Sequence, residues 1–258
     1  MDIAGKAKEI ARLFRERRQI DILPAELMPA DLDEAYQVRR RFEKIEVAGG
    51  RGAVAGYKIG LTTPIMQRLC GVDEPCYGAI FAAEVHERRA ELAAADYCRL
   101  GIETEIAVRL GADLPDGKDP DRVAAAVDSV MAAIELLEDL RHDYQRLSAA
   151  AMVAGNVWNA GVVLGPPRAD WRGLDLARLT ARLTINRREI GHGRGGDIMG
   201  NPLNALAWLA DKRAAQGSPL RAGQLVMTGS MVPIQFPVAG DHAIVEVQGL
   251  GQAELVVR

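Results

Sequence analysis

The spacing of apolar residues changes near residue 53, and this change limits the possible folds more than any other feature of the sequence. Before it, residues 3–18 and 29–47 carry apolar side chains at helical spacing, and Asp31 is placed to cap the second helix. After it, short apolar or alternating runs end at glycine or proline, as strands do. Strands and helices then follow each other irregularly, which argues against a doubly wound parallel sheet. We therefore predict an α+β fold, with helices first and then a mixed or antiparallel curled sheet that carries two or three inserted helices.

Several runs after residue 53 indicate individual elements. Residues 177–185 alternate strictly between apolar and polar side chains, which is typical of an antiparallel strand with one solvated face. Residues 120–140 have helical spacing, and Asn201-Pro202 is a typical helix start. The glycine-rich residues 191–200 match no phosphate-binding motif, so we expect a flexible turn or an active-site lid there. The predicted strands cover residues 53–60, 98–110, 157–164, 177–185, 224–228, 242–247 and 253–257.

Composition excludes several classes of protein. The chain has 258 residues, is 48% apolar and carries a formal net charge of −3, so we expect a globular protein that does not bind nucleic acid. Apolar runs stay below the length of about 18 residues that a membrane span needs, and residues 1–20 lack the apolar core of a secretory signal. We expect a cytoplasmic protein whose cysteines are free thiols, because their number is odd and their spacing fits no zinc or redox motif: Cys70, Cys76 and Cys98.

The segment Ile102-Glu-Thr-Glu-Ile holds two acids at strand spacing. Glu103 and Glu105 lie two residues apart, so both side chains project from the same face of the predicted strand. An edge strand with two solvated glutamates is one interpretation. The apolar residues 106–110 and the absence of an adjacent lysine favour another, in which a positive group lies between the two carboxylates.

A third acid, Glu135, lies within the apolar residues 131–137, where a lone carboxylate would be costly to bury. Three carboxylates without a neighbouring histidine or cysteine form an all-oxygen ligand set. Such a set selects Mg²⁺, Mn²⁺ or Ca²⁺ over zinc or copper. Three protein ligands also leave positions on an octahedral ion to which a substrate can bind.

Lys58 lies inside an apolar strand, between Gly56 and Gly60. A lysine in such a place either extends its ammonium group to the surface or faces a cleft, where it acts as a base or binds an anion. The flanking glycines indicate that the backbone closely approaches another part of the molecule.

These motifs together resemble a known family. The chain is similar to the 2-keto-4-pentenoate hydratase and 4-oxalocrotonate decarboxylase group of the fumarylacetoacetate hydrolase superfamily. The matching stretches keep the order of the family over nearly the whole region after residue 53. They are GYKIGLTTPIMQRLCGVDEPCYGAIF (56–81), IETEIAVRL (102–110), AIELLEDLR (133–141), GNVWNAGVVLG (155–165), GRGGDIMGNPLNALAWLA (193–210) and AGQLVMTGSMVP (222–233).

The resemblance implies an N-terminal helical segment, residues 1–52, and a metal-binding catalytic domain, residues 53–258, built as a curled mixed β-roll. It implies that Mg²⁺ or Mn²⁺ is the cofactor and that the protein forms a homo-oligomer. It assigns Lys58 to catalysis. Its matched segments place Leu61 and Tyr77 in the substrate site, and Ser230 is either a substrate contact or a plain turn residue. The implied metal ligands are Glu103, Glu105 and Glu135.

The implied reaction is the metal-dependent addition of water to a 2-hydroxy-2,4-dienoate (2-oxo-4-enoate), which gives a 4-hydroxy-2-oxo acid in the meta-cleavage catabolism of aromatic compounds. One alternative is decarboxylation of a 2-oxo-hexenedioate on the same metal chelate. Another is a catalytically silent homologue that binds a small oxo acid. The alternatives stay open because Cys76 and Gly155 occupy positions where members of the family often carry acids.

Overall fold

The structure is a computed structural model that describes residues 1–17, 19 and 22–258. Its helices are α1 (Ile3–Glu16), α2 (Leu32–Glu46), α3 (Pro64–Leu69), α4 (Pro120–Ala126), α5 (Ala149–Ala154) and α6 (Pro202–Ala215). Its strands are β1 (Val54–Gly60), β2 (Cys76–Phe81), β3 (Val85–Glu87), β4 (Arg89–Leu92), β5 (Leu100–Leu110), β6 (Val127–Glu138), β7 (Asn159–Leu164), β8 (Thr180–Ile185), β9 (Arg188–Arg194), β10 (Leu225–Ser230), β11 (His242–Val247) and β12 (Gly251–Val257).

Two mixed sheets form the body of the molecule. Over the described residues, a seven-stranded sheet has the order β2-β1-β10-β5-β6-β7-β3, and a five-stranded sheet has the order β4-β12-β11-β8-β9. The pairs β1–β10, β3–β7 and β4–β12 are parallel, and the other neighbours are antiparallel. The predicted α+β class with a curled mixed sheet is therefore confirmed, and neither of the two sheets of the described residues is a closed barrel.

The larger sheet is curled, so its two faces have different surroundings. Helices pack against one part of the outer face, and the smaller sheet packs against another part of it. The curl brings β2 against β7. The inner face therefore has a small apolar cluster of its own, to which strands on both sides of the curl contribute. The cluster consists of Ile80, Ala107, Met131, Ala133, Val162, Leu164, Leu225 and Met227.

The N-terminal helices share one hydrophobic core with the sheet. Tyr36 of α2 stacks on Tyr77 of β2, with ring centroids 4.8 Å apart. Arg39 is fully buried, lies 4.6 Å from the centroid of the Tyr77 ring, and forms an ion pair of 2.8 Å with Glu43. The N-terminal helices differ from the rest of the chain in their sequence pattern, but α2 packs against the outer face of β2.

The sequence-based prediction of a helix over residues 120–140 is wrong. The helix α4 ends at Ala126, and the chain continues as the strand β6. Nearly all of β6 is buried on both of its faces, so its apolar residues leave no alternation to be detected. A run that is apolar at almost every position fulfils helical spacing as well as strand spacing.

The prediction of a flexible turn or lid over residues 191–200 is wrong for residues 191–194, which belong to a strand. The strand β9 ends at Arg194, and a short helical turn follows at Gly195–Asp197. Gly193 allows close packing, since a Cβ atom there would lie 2.0 Å from the backbone oxygen of Met231. The glycines of this segment therefore serve contact between backbones.

A strained turn precedes β7. Asn156, Val157 and Trp158 have φ angles of 58°, 49° and 58°, a left-handed conformation that is costly for residues with a Cβ atom, above all for a β-branched valine. The side chain of Asn156 holds this turn against β2. Its Oδ1 accepts from the N–H of Ala79 at 2.7 Å, and its Nδ2 donates to the carbonyl oxygen of Ala79 at 2.9 Å.

We predict that Asn156→Ala destabilises the protein by about 1–3 kcal/mol, because it leaves two buried backbone groups of Ala79 without a partner. Urea unfolding monitored by circular dichroism measures this change. Asn204→Ala is the matched control, because the exposed Asn204 side chain also donates to a backbone oxygen, and we expect a change within about 0.5 kcal/mol. Equal midpoints for the two variants would contradict the prediction.

Candidate active site

The three predicted metal ligands meet on the inner face of the larger sheet. Glu103 on β5 and Glu135 on β6 are direct partners in the antiparallel pair, and Glu105 follows two residues later on the same face of β5. One carboxylate oxygen from each residue lies within 4.8 Å of the others. Glu105 and Glu135 are fully buried, and Glu103 is partly exposed. We call these three residues the carboxylate trio.

The hydrogen bonds of the trio leave specific oxygens available. Oε1 of Glu135 lies 2.7 Å from Nζ of Lys58 and accepts from Nδ2 of Asn159 at 3.3 Å. Oε2 of Glu105 accepts from the N–H of Gly229 at 2.9 Å. The other oxygens, Oε2 of Glu135 and Oε1 of Glu105, are buried without a hydrogen-bond partner in the described part of the chain. A buried lone pair without a donor is costly, so each oxygen fits the role of a cation ligand.

The charges of the trio also call for a cation. Burial and the charge of Glu135 raise the pKa of Glu103 to about 7. Burial raises the pKa of Glu105 as well, and the charges of Glu135 and Glu103 add to this rise. Lys58 supplies one positive charge against three acids. An all-oxygen donor set of this kind fits a hard divalent ion.

Lys58 is buried, with 2% of its surface exposed, so its ammonium group does not extend to solvent. Burial lowers its pKa, but the charges of Glu135 and Glu103 and the hydrogen bond to Glu135 outweigh burial and raise its pKa above the ordinary value. Lys58 is thus a fixed cation beside the trio. Of the two interpretations of the sequence, the structure favours the one in which Lys58 faces the site.

The predicted residues Ser230 and Leu61 lie at the ends of neighbouring strands. Ser230 is the partner of Glu105 in the β10–β5 pair, and its Oγ donates to the carbonyl oxygen of Val232 at 2.6 Å. Leu61 follows β1 directly and has a φ angle of 57°. The next residue, Thr62, touches Gly229, since a Cβ atom on Gly229 would lie 2.6 Å from Cγ2 of Thr62. The structure therefore brings both segments to the edge of the trio.

The third predicted substrate contact, Tyr77, lies elsewhere. It is the partner of Ile59 on the antiparallel pair β1–β2, and it projects from the face opposite to Lys58. Its side chain is fully buried between β2 and the helices, and its hydroxyl bonds to the side chains of Gln216 and Arg39. The structure does not bring Tyr77 together with the trio, so we correct its expected role to that of a support for β1 and β2.

Cys76 lies beside Lys58. The Sγ of Cys76 and the Nζ of Lys58 lie 3.6 Å and 3.8 Å from the point that a Cβ atom of Gly60 would occupy. Burial raises the pKa of Cys76 to about 12, so the thiol is neutral. At Gly155, a Cβ atom would lie 2.9 Å from the ring of Phe14 on α1, so this ring occupies the space that a larger residue would need.

Sequence reasoning missed two residues that hold the trio in place. Asn159 donates to Glu135, and Gly229 donates its N–H to Glu105. The isolated glycine near the end of the predicted strand 224–228 was a signal for an irregularity in the β10–β5 pair. That pair indeed shifts register between Met227 and Ser230. Asn159 carried no comparable signal, because its partner lies on another strand.

Comparisons with known proteins identify the family of this chain. The family described as fumarylacetoacetate (FAA) hydrolase C-terminal matches residues 82–258. A 2-keto-4-pentenoate hydratase of Paraburkholderia phymatum is 32% identical over 251 residues, which cover 96% of this chain and 95% of the relative. A 2-hydroxyhexa-2,4-dienoate hydratase of Comamonas testosteroni is 30% identical, and the match covers 98% of this chain and 96% of the relative.

Among solved structures, the chain is similar to 4-oxalocrotonate decarboxylase from Pseudomonas putida G7 in complex with magnesium and adipate. The TM-score is 0.92 and the sequence identity is 25%, and the match covers 99% of this chain and 97% of that chain. The chain therefore belongs to the fumarylacetoacetate hydrolase family, within the group of the 2-keto-4-pentenoate hydratases and 4-oxalocrotonate decarboxylases.

Proposed function

We propose that this protein is a divalent-metal-dependent hydro-lyase. It adds water to a 2-hydroxy-2,4-dienoate (2-oxo-4-enoate) and gives a 4-hydroxy-2-oxo acid in the meta-cleavage catabolism of aromatic compounds. The observation that carries the proposal is the carboxylate trio, which has orphaned buried oxygens and lies next to a buried lysine. The hydratase names of the relatives that match nearly the whole chain support it.

The trio would hold Mg²⁺ or Mn²⁺, with Glu103, Glu105 and Glu135 as ligands. Glu135 and Glu105 each have one oxygen fixed by the protein and one without a partner, so the chain itself orients the oxygens that would bind the ion. When bound, such an ion supplies attraction for the carboxylate and the neighbouring oxygen of an oxo acid, and for negative charge that develops on that oxygen.

Lys58 is the proposed catalytic residue. Its Nζ is held at 2.7 Å from Glu135, which fixes the position from which its ammonium group donates a proton. Hydration requires a proton to move from the enol oxygen of the substrate to its far carbon before water adds to the resulting enone. Leu61 and Ser230 are the proposed substrate contacts at the edge of the trio.

Decarboxylation of a 2-oxo-hexenedioate is the second candidate. It is favoured by Cys76, a neutral thiol at the position beside Lys58 where an acid would handle water and protons. It is also favoured by the structural similarity to 4-oxalocrotonate decarboxylase. Both reactions use the same chelate, and they differ in whether CO₂ leaves.

A cytoplasmic location and a homo-oligomeric assembly are further parts of the proposal. In the described part of the chain, no helix has both the length and the apolar character to cross a bilayer.

We expect Glu103→Gln to weaken Mg²⁺ binding by about 100-fold or more, because loss of a group that only orients a ligand already costs about 10- to 100-fold. Isothermal titration of the protein with MgCl₂ after dialysis against a chelator measures the affinity. Glu138→Gln is the control, because Glu138 is a buried acid on the neighbouring strand β6 and lies outside the trio. Equal affinities for the two variants would exclude the trio as the metal site.

We expect Lys58→Met to lower kcat by about 10²- to 10⁴-fold, the usual contribution of a positioned acid or base. The affinity for Mg²⁺ should stay equal or increase, because the variant removes a positive charge beside the trio. Loss of substrate absorbance at saturating Mg²⁺, together with the same titration, separates the two effects. A variant with unchanged kcat would remove Lys58 from the mechanism.

The reaction itself is tested by following the ultraviolet absorbance of 2-hydroxy-2,4-dienoates with Mg²⁺ while evolved CO₂ is trapped. We expect the dienol absorbance to be lost without CO₂ release. Release of one CO₂ for each molecule of a dicarboxylic substrate consumed would establish the decarboxylase instead. Mg²⁺ binding without turnover of either substrate class would identify a catalytically silent homologue.

A further inference from the structure

An arginine and an aspartate continue the site beyond the trio. From Glu103 toward the start of β5, Gly101 is the next residue on the same face and pairs with Leu137 of β6. Arg99 and Asp139 lie just outside the ends of these two strands. The N–H of Asp139 donates to the carbonyl oxygen of Arg99 at 3.0 Å, so the pairing of the two strands extends to these residues. The Arg99–Asp139 pair is thus about 13 Å from Glu103 along the strand.

The guanidinium group of Arg99 is bound to the carboxylate of Asp139. Its Nε donates to Oδ2 of Asp139 at 2.8 Å, a second guanidinium nitrogen bonds to the same oxygen, and the group lies 3.9 Å from the ring centroid of Phe236. Asp139 is fully buried, and it also accepts from the hydroxyl of Tyr144 and the N–H of His142. Removing the partner of a buried carboxylate is strongly unfavourable, so Arg99 cannot turn toward another anion without a large cost.

An apolar side chain lies between the trio and this pair, and aromatic rings lie against the pair itself. A Cβ atom on Gly101 would lie 2.9 Å from Cδ1 of Ile234, so the isoleucine covers the space above the glycine. The ring of Tyr144 lies edge-on to Trp158, with centroids 6.2 Å apart. The same ring lies 6.0 Å from the guanidinium carbon of Arg99, and its hydroxyl donates to Asp139 at 3.2 Å, so Tyr144 packs against the pair.

We propose that the Arg99–Asp139 pair makes this site select oxo acids whose far end carries no charge. The inference rests on the proposed function, since it assumes that the carboxylate end of an oxo acid lies at the trio. A terminal carboxylate would have to lose its hydration beside Ile234 and the aromatic rings, and the arginine that it meets is already neutralised by Asp139. An alkyl, vinyl or aryl tail loses no such hydration and gains apolar contact.

The test compares two saturated ligands that share the chelating end and the chain length. Isothermal titration of the Mg²⁺-loaded protein with 2-oxohexanoate and with 2-oxoadipate measures the effect of the terminal carboxylate alone. We expect 2-oxohexanoate to bind at least about tenfold more tightly, because an unpaired charge in a desolvated site is costly. Equal binding, or tighter binding of 2-oxoadipate, would overturn the inference.

Asp139→Asn tests the role of the pair. The variant frees the charge of Arg99 and keeps an acceptor for Tyr144 and His142. We therefore expect the ratio of the affinities for 2-oxohexanoate and 2-oxoadipate to fall by about tenfold or to invert. Glu87→Gln is the matched control, because it frees Arg109 at the other end of β5, 3.7 Å from Glu87, and should leave the preference unchanged. An unchanged preference in a folded, Mg²⁺-binding Asp139→Asn variant would remove the pair from substrate selection.

If circular dichroism shows that Asp139→Asn does not fold, the double variant Arg99→Met/Asp139→Leu takes its place. It removes both charges, so the preference for 2-oxohexanoate should persist, and loss of that preference would contradict the inference. Failure of the wild-type protein to bind either acid would overturn the proposed function and with it this inference. Binding of both acids with equal affinity would overturn the inference alone.

Discussion

The ion pair between Lys58 and Glu135 is the interaction on which the site depends. Three carboxylates on two adjacent strands repel one another, and two of them are fully buried. A buried lysine at 2.7 Å offsets part of that repulsion and takes one oxygen of Glu135 as its partner. Oε2 of Glu135 and Oε1 of Glu105 have no donor in the described part of the chain, so the protein has a built-in demand for a further cation.

The curled sheet makes this arrangement possible. Its inner face combines the polar trio with an apolar cluster directly beside it, and its outer face is covered by helices and by the second sheet. The strand β1, which carries Lys58, is held from behind by aromatic contacts and by the buried Arg39. Side chains on the two faces of the same strand therefore have separate tasks, and Tyr77 belongs to the supporting face although it lies one residue from Cys76.

The sequence predicted those parts of the site that depend on residues close to one another in the chain, and it missed those that depend on partners on other strands. The Glu103–Glu105 spacing is a local signal, and it correctly put both side chains on one face of a strand. For Lys58 the sequence left a surface position and a cleft position open, and burial in the structure favours the cleft. The element that carries Glu135 was misjudged, because a strand buried on both faces resembles a helix in its composition. Asn159 and the Arg99–Asp139 pair could not be found, because each acquires its role from a partner on a neighbouring strand.

The left-handed turn at Asn156 has a consequence for the order of folding. The turn is costly by itself, and it is held by bonds to Ala79, which lies 77 residues earlier in the chain. It can form only after β2 has docked, because loop closure over such a distance must come first. Asn159 follows this turn directly and orients Glu135. In a newly synthesised chain, Asn159 would therefore orient Glu135 only after β2 and this turn have come together.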